Sequence, residues 1–302
     1  RLGRPPPVTG RVLVTGAGGF VGRQVISALI DCETVVVEHR WSSVAELDQF
    51  ADADAGSDGQ IDRCIHLGWY AEPTDYLVAA DGNLESLRTS LQLVEWLGRR
   101  GCRHLTVAGT CAEYRDQDRP ISEDDPIDPW SVYGASKAAF HTLVDGSWRP
   151  AGLGVAWARL FNLTGPGEDP RRLVPMVVRS LLDGKPVSLS AGAQVRDFLD
   201  VADVAAALVA LSDAGAEGSF NVCGGEALSL RELLGAVGER VGRVDLLRFG
   251  ERPYGEHDPP MVVGINRRLR AATHWQRRYD RDTMIDRVID DCKRSDPAER
   301  ES

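Results

Sequence analysis

Residues Thr15-Gly16-Ala17-Gly18-Gly19-Phe20-Val21-Gly22 set three glycines, Gly16, Gly19 and Gly22, at GxxGxxG spacing directly after the β-branched run Arg11-Val12-Leu13-Val14-Thr15. Phe20 to Ile30 then carries apolar residues at helical spacing, so the segment predicts a strand, a tight turn and a helix. A side chain at either of the first two glycines would block the turn and keep backbone N–H groups from a pyrophosphate. The third glycine lets helix and strand pack closely. Glycine triplets also occur in turns for backbone reasons alone. Here the flanking strand and helix raise the motif to a dinucleotide-binding expectation, with Gly16, Gly18, Gly19, Phe20, Val21 and Gly22 as contacts.

The end of the second strand selects the dinucleotide, because an acidic residue there accepts from a ribose 2′-OH and an arginine holds a 2′-phosphate. Val35-Val36-Val37 runs into Glu38-His39-Arg40, with Ser42 and Ser43 close behind. Strand alternation can point Glu38 away and leave Arg40 with the serines as a phosphate clamp. The expectation is NADP(H), held by His39, Arg40, Ser42 and Ser43, with NAD(H) the alternative.

Further strands are expected at Ile61 to Leu67, Leu105 to Ala108 and Val155 to Ala158, and helices at Asn83 to Leu97 and Ser131 to Val144. Strands alternating with helices imply an α/β fold with a parallel sheet covered on both faces. Ser42 to Phe50 reads as a capped helix, and no third strand can be placed between Arg40 and Ile61. After Thr164 the texture changes to Gly/Pro-rich turns, with helices expected at Leu173 to Leu182, Val204 to Leu211 and Leu230 to Val241 and short strands near Val187 and Phe220. This half is expected to form a smaller lobe with elements returning to the sheet.

Tyr133-Gly134-Ala135-Ser136-Lys137 places a phenol and an ammonium four residues apart, on one face of a helix. A nearby cation stabilises phenolate, so the pair predicts a lowered Tyr133 pKa and acid/base chemistry. Lys137 is one of only three lysines in the chain, and Thr110 ends a strand where a parallel sheet presents its crevice.

Composition removes several classes. Forty-five acidic residues against 35 basic ones give a net charge of -10, with the basic residues spread out, which argues against nucleic-acid binding. The six cysteines form no CxxC pair and suit a reducing cytoplasm. Cys64/His66 and Cys102/His104 fall in strand-like runs without paired ligand spacing, so no metal site is expected. No apolar run approaches a membrane span, and Arg1 to Gly10 lacks the apolar stretch of a secretion signal.

In order along the chain stand TGAGGFVG, HLGW, Asn83, Thr110, YGASK, RLFNLTGPGE, QVRDFLDVADVA and FNVCGG. Together they resemble the extended short-chain dehydrogenase/reductase family, in its nucleotide-sugar epimerase, dehydratase and reductase branch, over about Val8 to Ile289. The resemblance implies a Rossmann-type doubly wound parallel sheet over residues 8–165, a smaller C-terminal, mainly substrate-binding lobe over 166–294, and flexible ends at 1–7 and 295–302. It implies Tyr133 as the residue exchanging a proton with a sugar oxygen, Thr110 hydrogen-bonding that oxygen, and Lys137 on the nicotinamide ribose. Leu67 and Gly68 would touch the cofactor. Asn162, Arg172, Leu173 and Arg196 would hold a nucleotide-diphosphate sugar, and a homodimer would form through a four-helix interface. Arg196 beside Asp197 could instead be an internal ion pair, and Asn162 before Gly165-Pro166 could be turn chemistry. Trp69 and Tyr70 either narrow the sugar pocket or are core aromatics.

One departure narrows the reaction. Dehydratases of this branch follow the threonine with an Asp-Glu pair, whereas this chain has Cys111 and Ala112, neither of which can act as that acid or base. Glu113 is one position out of register and is not expected to substitute. The leading expectation is an NADPH-dependent 4-ketoreductase of a nucleotide-linked deoxy-keto-sugar. A 4-epimerase with tightly bound NAD comes second, and a nonenzymatic NADP sensor third.

Overall fold

Apolar runs rich in β-branched residues become the strands of a six-stranded parallel sheet in the computed structural model, which describes residues 10–29, 33–37, 46–48, 60–149 and 151–294. The strands are β1 (Arg11–Thr15), β2 (Glu33–Val37), β3 (Arg63–His66), β4 (His104–Thr110), β5 (Gly154–Leu160) and a last one, Gly218–Val222, from the C-terminal half. From one edge they lie in the order Gly218–Val222, β5, β4, β3, β1, β2, every pair parallel. The chain builds outward from β1 to β2, crosses back over β1 to β3, and continues the other way. That reversal opens a crevice at the carboxyl ends of β1 and β3.

Every residue of β1 and β3 is buried, as strands covered on both faces require. Helix α1 (Phe20–Ala28) and the Val201–Asp213 helix cover one face, around Val12, Val14, Val25, Ile65 and Leu208. The Ala80–Arg99 and Val132–Ser147 helices cover the other, around Leu13, Leu93, Leu105, Phe140 and Trp157. A third cluster, including Val177, Leu181, Leu233, Val237, Ile285 and Val288, joins the Leu173–Leu182, Leu230–Val241 and Arg281–Arg294 helices. The expected α/β architecture is therefore the one observed.

Two local readings sharpen. Asn162–Thr164 is a strand paired with Phe198–Asp200, which removes the turn-chemistry alternative for Asn162, because the chain turns only after Thr164, at Gly165. The helix expected at Val204 to Leu211 begins at Val201, because the Asp200 side chain caps it by accepting from the Ala202 N–H. Of the expected Ser42 to Phe50 helix, residues 46–48 are helical and the rest lie outside the described residues.

Candidate active site

At the carboxyl ends of β1, β3 and β4 lies a cleft of ≈ 1220 Å³. Its floor is the glycine turn. Gly16 has φ +69°, and a Cβ on it would stand 2.8 Å from the Gly68 nitrogen. A Cβ on Gly22 would stand 2.1 Å from the Gly16 carbonyl oxygen, closer than any packed atom can approach. Gly16, Gly19, Phe20, Val21, Gly22, Leu67 and Gly68 all line the cleft. A cradle that would be filled by any side chain fits the close backbone approach of a dinucleotide pyrophosphate. Gly18 is exposed and is not part of the lining; its carbonyl accepts from Arg23 at 2.7 Å. His39, Arg40, Ser42 and Ser43 lie outside the described residues.

Opposite the turn, the helix begun by Ser131, whose hydroxyl accepts from the Gly134 N–H, carries Tyr133 and Lys137 into the cleft beside Thr110. Lys137 is 2% exposed, donates to the Ala108 carbonyl at 2.7 Å and lies 6.0 Å from the Tyr133 ring centre. Burial pushes its ammonium down to about 7. Tyr133 departs from the expected lowering. Removal from solvent pushes its phenol above the ordinary range, the neighbouring Tyr76 adds to this, and the Thr110 hydroxyl opposes it. Desolvation is the largest cause and sets the upward direction.

The strand ends under these groups are fixed by buried polar chains. Glu113 is 0% exposed and accepts from the Thr110 N–H at 2.8 Å, from Trp157 Nε1 at 3.0 Å and from Arg159 Nε at 2.8 Å. It is a structural carboxylate and faces away from a catalytic role. Thr15 Oγ1 and His66 Nδ1 are 2.6 Å apart, and His66 Nε2 and Ser90 Oγ 2.8 Å apart. Ser90 donates to the Ser86 carbonyl and Thr15 accepts from the Gly68 N–H. His66 must then donate through Nε2 and accept at Nδ1, a neutral ring, in keeping with burial that holds its pKa at about 3. Cys102 Sγ donates to the His104 carbonyl, and His104 Nε2 meets the Ala216 carbonyl. Among the described residues no group of three or more His, Cys, Asp or Glu is placed to hold a metal.

The residues expected on the substrate side converge from three segments. Asn162, Arg172, Leu173 and Arg196 line the cleft, as does Trp69. The buried Nδ2 of Asn162 has no hydrogen-bond partner among the described residues and is a donor suited to a ligand oxygen. Arg196 pairs with Asp258, not with Asp197, which instead accepts from the Gly224, Gly225 and Gly264 N–H groups. Tyr70 is no pocket residue: its hydroxyl donates to Asp75 at 2.7 Å and its ring packs beneath Gly82.

Sequence reasoning missed much of the lining, including four residues with charged or aromatic side chains that contact other parts of the site. Tyr76 meets the Tyr133 ring edge-on at 5.1 Å and carries the Arg172 guanidinium on its face at 4.7 Å. Arg23 spans the Gly18 and Gly167 carbonyls. Glu168, accepting from Thr164 Oγ1 at 2.5 Å, is raised to about 7 by burial. Asp258 balances Arg196. Their partners are distant in sequence or depend on burial, so no local spacing announces them.

The model of the NAD dependent epimerase/dehydratase family matches residues 12–223. Over 309 residues the chain is 26% identical to a UDP-glucose 4-epimerase of Azospirillum brasilense, covering 90% of this chain and 88% of the relative. Over 265 residues it is 28% identical to a dTDP-glucose 4,6-dehydratase of Streptomyces griseus, covering 78% and 80%. The structure of RMD from Pseudomonas aeruginosa complexed with NADPH has the same fold, with a TM-score of 0.82 at 24% identity over 94% of this chain and 99% of that one. With a glycine cradle, a Tyr-Lys pair and a family match running from β1 to Cys223, the chain belongs to the NAD dependent epimerase/dehydratase family and is an NAD(P)-dependent enzyme of its nucleotide-sugar branch.

Proposed function

We propose that the protein is an NADPH-dependent 4-ketoreductase of a nucleotide-linked deoxy-keto-sugar. The observation that supports the reading is the placement in one cleft of Thr110, Tyr133 and Lys137 with Cys111 and Ala112 at the positions where a dehydratase needs an acid and a base. Tyr133 donates its proton to the carbonyl oxygen as charge develops there, and Thr110 gives the same oxygen a second hydrogen bond. Thr110 Oγ1 accepts from the Ala112 N–H, which leaves its proton directed toward Tyr133, the side from which the ligand oxygen is reached. Bound dihydronicotinamide supplies the hydride for the carbonyl carbon. Gly16, Gly19, Phe20, Val21, Gly22, Leu67, Gly68 and Lys137 hold the cofactor, with His39, Arg40, Ser42 and Ser43 at its ribose. Asn162, Arg172, Leu173 and Arg196 hold the nucleotide-diphosphate portion of the substrate, the last three presented by the lobe of residues 166–294 and Asn162 from the end of the 8–165 domain. The preference for NADP(H) rests on the sequence Glu38-His39-Arg40.

The second reading, a 4-epimerase with resident NAD, is favoured by the likeness to the Azospirillum brasilense UDP-glucose 4-epimerase over 90% of the chain. One experiment separates the two. The purified protein is denatured to identify any retained dinucleotide, and the emptied protein is titrated with NADPH and NADH and assayed with 4-keto nucleotide sugars. Preferential NADPH binding and net reduction are expected. Retained NAD with interconversion of 4-hydroxyl epimers and no consumption of added NADPH would overturn the reductase. Tyr133→Phe is expected to lower turnover by about 10²- to 10⁴-fold.

A further inference from the structure

Among the described residues, no carboxylate forms a salt bridge with the buried Lys137. Its Nζ donates to the Ala108 carbonyl and sits 3.9 Å from the centre of the Trp69 ring. The ring is held in place from both sides: Trp69 Nε1 donates to Asn83 Oδ1 at 2.9 Å, and the indole packs on Phe140 at 6.2 Å. Asn83 is itself 0% exposed, and its amide donates to the Tyr76 and Ala79 carbonyls at 2.7 and 2.8 Å, so the acceptor that orients the indole cannot turn.

We propose that Trp69 is a positioning residue that keeps Lys137 charged beside Tyr133 by presenting its π-face to the ammonium in place of a counter-ion. The chemistry favours this arrangement over an ion pair. A carboxylate against Lys137 would stabilise the cation and also cancel its field at Tyr133. An aromatic face stabilises the cation through its quadrupole and carries no net charge, so the field at the phenol survives. The groups acting on Lys137 are Tyr133 on its own helix, Glu113 beyond Thr110, which favours the ammonium, and His66 of β3, which is neutral and adds no charge. Burial works against the ammonium, and the indole face works with Glu113 to oppose it. The proposal deepens the reading of Tyr133 and Lys137 as the catalytic pair.

The chain has three lysines, which makes a direct test possible. Lys185 is exposed and paired with Asp183, and Lys293 is exposed on the last helix. In protein labelled at the lysine ε-carbon, three NMR signals are followed against pH. The Lys137 signal is assigned as the one missing from Lys137→Met. Its midpoint is expected to fall by roughly one pH unit in Trp69→Leu, and by less in Trp69→Phe, which keeps a ring and its packing on Phe140. Should Trp69→Leu fail to fold, the smaller downward movement in Trp69→Phe is the deciding result. A Lys137 midpoint that is the same in wild type and in the folded Trp69 variants overturns the proposal. The titration needs neither substrate nor turnover. A failed reductase assay therefore leaves this test standing, and a failed titration leaves the assignment of the reaction standing.

Discussion

Lys137 and Glu113 show how two buried charges can serve opposite ends. Lys137 has a folded-state pKa of about 7 against an ordinary 10.5, so between those values the unfolded chain holds a proton that the folded chain has shed. Stability contributed through this group therefore rises with pH across that window. In Lys137→Met that part of the slope is expected to disappear, with thermal unfolding at pH 7 moving up by roughly 2–4 °C, while turnover drops by about 10²-fold or more. Thermal scans at several pH values read the first effect, and an unchanged slope contradicts it. Glu113 is the reverse case. It is matched by Arg159 and closed off by two further donors, and Arg159 in turn meets the Tyr114 hydroxyl at 2.9 Å. Glu113→Ala strands a buried guanidinium and is expected to cost about 3–5 kcal/mol in urea unfolding. A loss under about 1 kcal/mol would show that Arg159 finds another partner.

Among the elements, those with a strong local signal were legible in the sequence. The run Arg11–Thr15 is β1 residue for residue, and the Leu173–Leu182 and Leu230–Val241 helices have the bounds their apolar spacing implies. In the second of these, Ser229 and Glu232 form a reciprocal cap and Gly242 at φ +75° ends the helix, so its start and stop are written in adjacent residues. Asn162–Thr164 was opaque because its strand character comes from pairing with Phe198–Asp200, more than thirty residues away, while the Gly-Pro that follows looks like a turn. Trp69 stayed undecided between pocket and core because it is both: its ring joins the core at Phe140 and offers a face to Lys137. The glycine turn makes the strictest prediction at this scale. In Gly22→Ala the new Cβ meets the Gly16 carbonyl at 2.1 Å, and helix α1 must move off the turn. Lowered unfolding temperature together with loss of the dinucleotide titration is the expected outcome. Wild-type affinity in a folded Gly22→Ala protein would show that the cradle is not the binding surface.

For the whole molecule, we propose a homodimer built on the Ala80–Arg99 and Val132–Ser147 helices, where Leu84 and Leu143 stand 56% and 42% exposed. Sedimentation should give twice the chain mass of 32.9 kDa, and Leu84→Glu with Leu143→Glu should return it to one. A wild-type monomer sinks the proposal. No helix among the described residues is long and apolar enough to cross a membrane. The two walls of the cleft also differ in what mutation can do to them. On one side the Gly16 and Gly22 backbones are already in contact, and every larger residue collides with main chain. On the other side Tyr76, Arg172 and Arg196 reach in as side chains from separate segments. On the proposed function, descendants of this chain inherit a fixed grip on the cofactor and an editable grip on the substrate, so drift in specificity is expected on the side-chain wall of the cleft, one residue at a time, while the turn stays silent.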